Sequence, residues 1–232
     1  MDQNKVISYY SDRPKILVAV DCIIFGFDEG ELKLLLMKKQ MGSKIGEWSL
    51  IGSFIDPAED LNDGAKRVLK ECTGLSDVYL EQSYSYGIVD RVPGDRVISI
   101  GYYALIRIDD HDKETVKEFG AEWFKFNSRP ALIFDHDKMV SDAVNKLKRK
   151  TRNQSLGFEL LPEKFTIPQL RQFFEEIYQI SIDKRNFRKK ILYMDILKKL
   201  EEKDKANSKK GAFLYSFDRE KYESNPDLKA LF

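Results

Sequence analysis

The sequence predicts an α/β fold in two domains: a mixed strand-and-helix domain over residues 1–152, then a smaller helix-rich domain closed by a hairpin over 153–232. Three observations predict it. In the front part the hydrophobic period switches from strand-like to helical and back. The rear part keeps helical spacing, with cap signals at both helix starts. Charge divides along the chain although the net charge is only +1. Residues 1–144 hold 18 Lys and Arg against 25 Asp and Glu, whereas residues 145–232 hold 21 against 13. An acidic front and a basic rear suggest two domains with different partners; basic residues that merely decorate solvated helices are the alternative.

The front elements follow in order. Ile16 to Phe27 is rich in Val, Ile and Phe, Asp28-Glu29-Gly30 supplies a turn, and Leu32 to Met37 is a second apolar run. That is a hairpin signal. Trp48 to Ile55 is another short apolar stretch. Leu61, Ala65, Val68, Leu69 and Cys72 recur at helical spacing, and Gly74 is placed to stop the helix. Val78 to Val89 and Arg96 to Ile108 return to strand character around the turn residues Pro93-Gly94-Asp95. Ala121 to Phe126 is a last short strand. Asp137 to Thr151 reads as a helix carrying the chain toward a linker at Arg152 to Gly157.

In the rear, Thr166 and Gln169 stand in capping-box order, with Pro168 in the first helical turn. Leu170, Phe173, Phe174, Ile177 and Tyr178 give that helix its apolar face. Asp183 is placed to cap a second helix from Lys184, whose apolar side is expected to run through Phe187, Ile191, Met194 and Leu197 or Leu200. Ala212 to Phe217 then reads as a strand behind Lys209-Lys210-Gly211.

Composition excludes several classes. At 42% hydrophobic residues the chain can bury a core. It has no run of 18 apolar residues to span a bilayer, and Met1 to Asp12 lacks a signal pattern. Two cysteines, Cys22 and Cys72, are too few for a disulfide framework or a zinc site, so a reducing cytoplasm is expected.

A helix, a short turn and a basic helix form the order of a helix-turn-helix, and a terminal hairpin makes it winged. A helix that enters a DNA groove needs one apolar face for anchorage and a positive, long-armed face for phosphates and base edges. Five of the seven residues from Lys184 to Lys190 are basic. The expected DNA contacts are Lys184, Arg185, Asn186, Arg188 and Lys189, with Lys209 and Lys210 at the wing tip. A solvated amphipathic helix is the alternative.

Ser53 to Leu75 carries the front motif. Its spacing resembles the Nudix box over all 23 positions, with Glu59, Arg67, Leu69, Glu71, Gly74 and Leu75 at matching places and Gly46-Glu47-Trp48-Ser49-Leu50 as the approach. The resemblance covers roughly residues 12–150 and implies an α/β/α Nudix sandwich. The family's hydrolases hold divalent metal on glutamates of the box helix. Here two of those positions are Val68 and Cys72, and the leading glycine is Ser53. Valine offers no oxygen, and a thiolate is a soft ligand ill suited to magnesium. Hydrolase activity, catalytic residues, metal and cofactor are therefore not expected, and Glu59 and Arg67 are expected to pair structurally.

The whole chain resembles the Nudix-related transcriptional regulators, which join a Nudix-like domain to a winged helix and bind palindromic operators as dimers. Ile133-Phe134-Asp135-His136, Leu160 to Thr166 and Asp183 to Lys190 carry that likeness. The resemblance implies a repressor working as a homodimer on duplex DNA, away from membranes, with a small-molecule effector. One branch senses ADP-ribose and another L-arabinose. Asp21 to Phe27 and Asp90 to Val97 look closer to the arabinose branch, so a pentose effector and sugar-utilisation genes are expected, with an ADP-ribose sensor of NAD metabolism or an active Nudix diphosphate hydrolase as the alternatives. Trp48, Asp56, Glu71, Asp90 and Arg91 are the expected effector-binding residues, since a sugar needs carboxylates and amides beside an aromatic face. Trp48 as plain core, and Asp90 paired with Arg91 beside a turn, are the competing readings.

Overall fold

The computed structural model describes residues 13–153, 161–205 and 211–224. Strands β1 (Leu17–Asp28) and β2 (Glu31–Lys38) form the expected hairpin, with Asp28 opposite Glu31. Its two turn residues, Glu29 and Gly30, both have positive φ, 51° and 80°. That is the turn whose twist matches the flanking strands. Strands β3 (Trp48–Ser49) and β4 (Ile51–Phe54) follow, then helix α1 (Leu61–Thr73). Gly74 ends α1 at φ 72°, its N–H bonded to the carbonyl of Lys70. The apolar stretch from Val78 to Val89 yields a shorter strand than expected, β5 (Glu81–Tyr86). Strand β6 (Val97–Arg107) runs parallel to β1 from the Leu17–Val97 pair to the Phe27–Arg107 pair. A short helix α2 (Lys113–Glu118) that the apolar pattern does not announce precedes β7 (Ala121–Lys125).

The strands make one mixed sheet ordered β3-β2-β1-β6-β5, with β4 added on β1 and β7 on β2. Alternation along β1 builds two cores. Val20, Cys22 and Ile24 pack with Ala65, Val68 and Leu69 of α1. Ile23, Phe25 and Phe27 face the other way, toward Met139, Val140, Ala143, Val144 and Leu147 of helix α3 (His136–Asn153). The front domain is thus a sheet between helices.

In the rear, strand β8 (Phe165–Thr166) leads to helix α4 (Ile167–Tyr178). Thr166 and Gln169 form the reciprocal capping box. Helix α5 (Lys184–Tyr193) begins where Asp183 Oδ1 accepts the N–H of Asn186 at 2.9 Å. The expectation that α5 runs on to Leu197 or Leu200 is corrected. Asp195 takes a left-handed φ of 53°, Ile196 is fully buried, and Leu197 opens strand β9 (Leu197–Asp204), paired antiparallel with β10 (Ala212–Phe217). Leucines at 197 and 200 fit a helical period as well as they fit an edge strand, and sheet pairing decided between them. A short helix α6 (Arg219–Ser224) ends the described chain. Most of the expected linker, and the wing-tip pair Lys209 and Lys210, lie outside the described residues.

The two domains share one apolar cluster. Phe27 meets Phe173 of α4 edge-on at 5.0 Å, and the Leu32 N–H donates to Glu176 Oε2 at 3.1 Å. Gly30 lies so close to α4 that a Cβ there would come within 2.5 Å of the Gln172 amide.

Candidate functional site

The loop from β4 to α1 is organised by one guanidinium. Arg67 donates to Glu59 through Nε at 2.9 Å and Nη2 at 2.5 Å, to Glu71 at 2.9 Å and to the carbonyl of Phe54 at 3.0 Å. The expected Glu59–Arg67 pairing is present. The bond from Arg67, joined by the Asp56 N–H at 2.8 Å, lowers the Glu59 pKa to about 2. Val68 is fully buried between helix and sheet. Cys72 is half-buried, and desolvation raises its thiol pKa. A hard divalent cation calls for several oxygen ligands. Two glutamates face a guanidinium, one neighbour is aliphatic, and the remaining one is a protonated thiol. Among the described residues no group of three or more His, Cys, Asp or Glu side chains is placed to hold a metal ion.

Beside the box lies a cleft of about 420 Å³, lined in part by Asp21, Lys39, Gly52, Arg91, Phe134 and His136. Its wall is a buried polar network. Asp21 interrupts the apolar run of β1 and is 6% exposed. Its Oδ2 accepts from Ser99 on β6, and its Oδ1 lies 3.7 Å from His136 Nε2. Gly52 makes room for that carboxylate, because a Cβ there would fall 2.2 Å from Asp21 Oδ1. His136 Nδ1 accepts the Leu50 N–H at 3.2 Å, so the ring proton sits on Nε2, toward Asp21. Burial lowers the His136 pKa and keeps the ring neutral. Arg91, its side chain only 2% exposed, makes a two-bonded pair with Asp135 at 3.0 and 2.6 Å and lies 3.9 Å from Asp21.

The five expected effector residues are not gathered in one place. Arg91 lines the cleft, but its carboxylate partner is Asp135, and neighbouring Asp90 is exposed. Asp56 and Glu71 are exposed on the box side around Arg67. Trp48 is half-buried against Phe124 at 4.7 Å and packs on the core beneath α3, with the Lys38 ammonium 5.2 Å from its ring. Trp48, Asp56, Glu71 and Asp90 are not among the residues lining this cleft: strand alternation and the Arg67 hub point them elsewhere. Asp21 and His136 were missed as wall residues, and Ser99 and Asp135 as the partners that hold Asp21 and Arg91. A charged residue inside an apolar strand, as at Asp21, was the available signal, since a carboxylate is buried only with partners.

The second surface is α5. Phe187 and Ile191 are buried, with Phe187 packed 6.1 Å from the Phe174 ring. Lys184, Arg185, Asn186, Arg188 and Lys189 are exposed on the other side. On the adjoining hairpin, Lys199 and Lys203 lie 3.8 and 4.5 Å from the Phe213 ring.

A Nudix-type sandwich joined to a winged helix with an outward basic face defines the class: a DNA-binding regulator with a small-molecule cleft. The chain matches the NUDIX domain family over residues 15–143 and the NrtR DNA-binding winged helix domain over residues 157–217. The ADPR responsive transcriptional repressor NtrR of Acinetobacter baylyi is 31% identical over 219 residues, 93% of this chain and 87% of that one. An ADP-ribose pyrophosphatase of Methanocaldococcus jannaschii is 34% identical over 130 residues, 54% of this chain and 71% of that one. The crystal structure of Shewanella oneidensis NrtR complexed with a 27mer DNA matches with a TM-score of 0.70 and 25% identity, over 91% of this chain and 95% of that one. The NUDIX domain of the same Shewanella protein, complexed with ADP ribose, matches at 0.55 and 25%, over 63% and 99%. The chain belongs to the NrtR family of Nudix-domain transcriptional regulators. Among the described residues no helix is long and apolar enough to cross a membrane.

Proposed function

We propose that this protein is a homodimeric repressor that binds a palindromic operator through α5 and releases or tightens its grip when ADP-ribose occupies the front cleft. The observation that carries the reading is the match over 93% of the chain to a repressor named for its response to ADP-ribose. The Shewanella domain solved with ADP ribose supports the same ligand class. These relatives lend no support to the arabinose branch, so the pentose expectation gives way to its alternative. Local sequence likeness near Asp21 and Asp90 was too short to separate branches that share one fold.

The geometry suits an anionic ligand. Lys39 and Arg91 supply cationic groups to a cleft also lined by Asp21 and Asp95, and the Lys39 ammonium lies 5.3 Å over the Phe134 ring. The Lys184, Arg185, Arg188 and Lys189 face supplies phosphate contacts, and Asn186 can pair with an adenine edge. Two such helices in a dimer would reach half-sites roughly 34 Å apart. A thermal-shift titration tests the ligand. ADP-ribose should raise the melting temperature and L-arabinose should not, because a ligand of the native state stabilises it. A shift with arabinose alone overturns the reading.

A second reading, an ADP-ribose hydrolase carrying a DNA-binding domain, draws on the Methanocaldococcus relative. The donor set around Val68 and Cys72 argues against it. Steady release of AMP from ADP-ribose with magnesium, at ordinary enzyme rates, would establish it instead.

A further inference from the structure

We propose that Asp135 is the positioning residue that couples the effector cleft to the DNA-binding domain, through its ion pair with Arg91. The inference rests on the ADP-ribose reading, because the diphosphate is the anion that would compete for Arg91. Arg91 belongs to the β5–β6 loop, which also gives Val92, Pro93 and Asp95 to the cleft. Asp135 stands at the head of α3, where its carbonyl accepts the Met139 N–H at 3.1 Å. Its neighbours on both sides, Phe134 and His136, line the cleft. Phe134 is held at φ 52°, a left-handed conformation costly for a bulky side chain. The head of α3 is thus fixed against the cleft by one ion pair, buried on its Arg91 side, and a strained residue.

The far end of α3 touches the other domain. The Tyr178 hydroxyl, on α4, donates to the Lys148 carbonyl at 3.3 Å and lies 3.2 Å from Thr151 Oγ1. From Phe174, on the same helix α4, packing continues to Phe187 of α5. An 18-residue helix spans about 27 Å, so α3 links cleft and recognition helix as one stiff element. Asp135 is half-buried, and a carboxylate there that loses its guanidinium partner is disfavoured. An anion bonded to Arg91 places like charge beside Asp135, and the head of α3 must move to relieve it. That gives the ligand a different affinity for the two arrangements, which is what a coupled equilibrium requires.

The test measures two affinities for the wild type, Asp135→Asn and Asp135→Glu. Calorimetry gives ADP-ribose affinity. Fluorescence anisotropy gives affinity, with and without ADP-ribose, for a duplex selected from random sequence. In the wild type, ADP-ribose should change DNA affinity by about 5- to 150-fold. Asp135→Asn should bind ADP-ribose as tightly as wild type or tighter, yet lose that change, and Asp135→Glu should restore part of it. Undiminished coupling in Asp135→Asn overturns the proposal. So does loss of ADP-ribose binding in that variant, which would make Asp135 a ligand contact. Absence of ADP-ribose binding in the wild type defeats the functional reading instead. The latch is then judged by hydrogen exchange on the ligand-free protein. Asp135→Asn should speed exchange in residues 87–96 and in the first turns of α3 together, and an unchanged pattern overturns it.

Discussion

In α1, Arg67 is held by Glu59, Glu71 and the Phe54 carbonyl, all within 3.0 Å. In α5, Lys184, Arg185, Arg188 and Lys189 are exposed and form no ion pair among the described residues. The first set of charges is satisfied inside the chain, where it ties a loop to a helix. The second is left for another molecule to neutralise. On the function proposed above, the same residue type serves architecture in one domain and recognition in the other. What separates them is whether a carboxylate is folded within reach.

The strongest way to break this comparison is at α5. Arg185→Ala with Arg188→Ala should weaken duplex binding on the order of 100-fold or more, since each base or phosphate contact is worth about 1–3 kcal/mol. Stability should change by less than about 0.5 kcal/mol, because both residues are exposed. Anisotropy and chemical denaturation read the two effects, and unchanged DNA affinity would reassign the recognition helix. Phe187→Ala tests the anchored side of the same helix. It should cost about 3 kcal/mol of stability, as truncation of a buried aromatic does.

On the front domain, Gly52→Ala should cost about 1–3 kcal/mol by forcing Asp21 aside, and should erase the ADP-ribose thermal shift. A stable variant with a full shift would show that the Asp21 wall does not shape the ligand site. Smaller effects are read against pH. Glu59 is ionised in the folded state down to about pH 2, so the stability it adds is present above the ordinary carboxylate pKa and is lost as pH falls from about 4.5 toward 2. Glu59→Gln should flatten that part of the melting curve; an identical acid limb would mean Arg67 gains little from it. His136 is held below its usual pKa by burial, so its contribution is complete above about pH 6.5 and declines as the unfolded chain takes up a proton at lower pH. In His136→Gln that slope between neutral and mildly acid pH should disappear.

Much of this organisation was legible in residue order. The hairpin around Glu29-Gly30, the Gly74 stop, the Thr166–Gln169 box and the Asp183 cap are local signals, read from neighbours within a few positions. The end of α5 was not, because Leu197 and Leu200 satisfy two periods and only pairing with β10 chooses one. The cleft was the least legible region. Arg91 could be picked as a charged loop residue, but its partner is 44 positions away, and Asp21 meets Ser99 across 78.

The amino-acid sequence by itself determined the two-domain plan, the box with Val68 and Cys72 in it, and the basic face of a capped helix. Each follows from spacing along one element or from the chemistry of single side chains. The tertiary structure alone decided which carboxylate meets which guanidinium: Glu59 and Glu71 with Arg67, Asp135 with Arg91, and none of the described acids with Lys184, Arg185, Arg188 or Lys189 of α5. The reason is physical. A charge pair depends on separation in space and on exclusion of water, and neither distance nor burial is written in residue order.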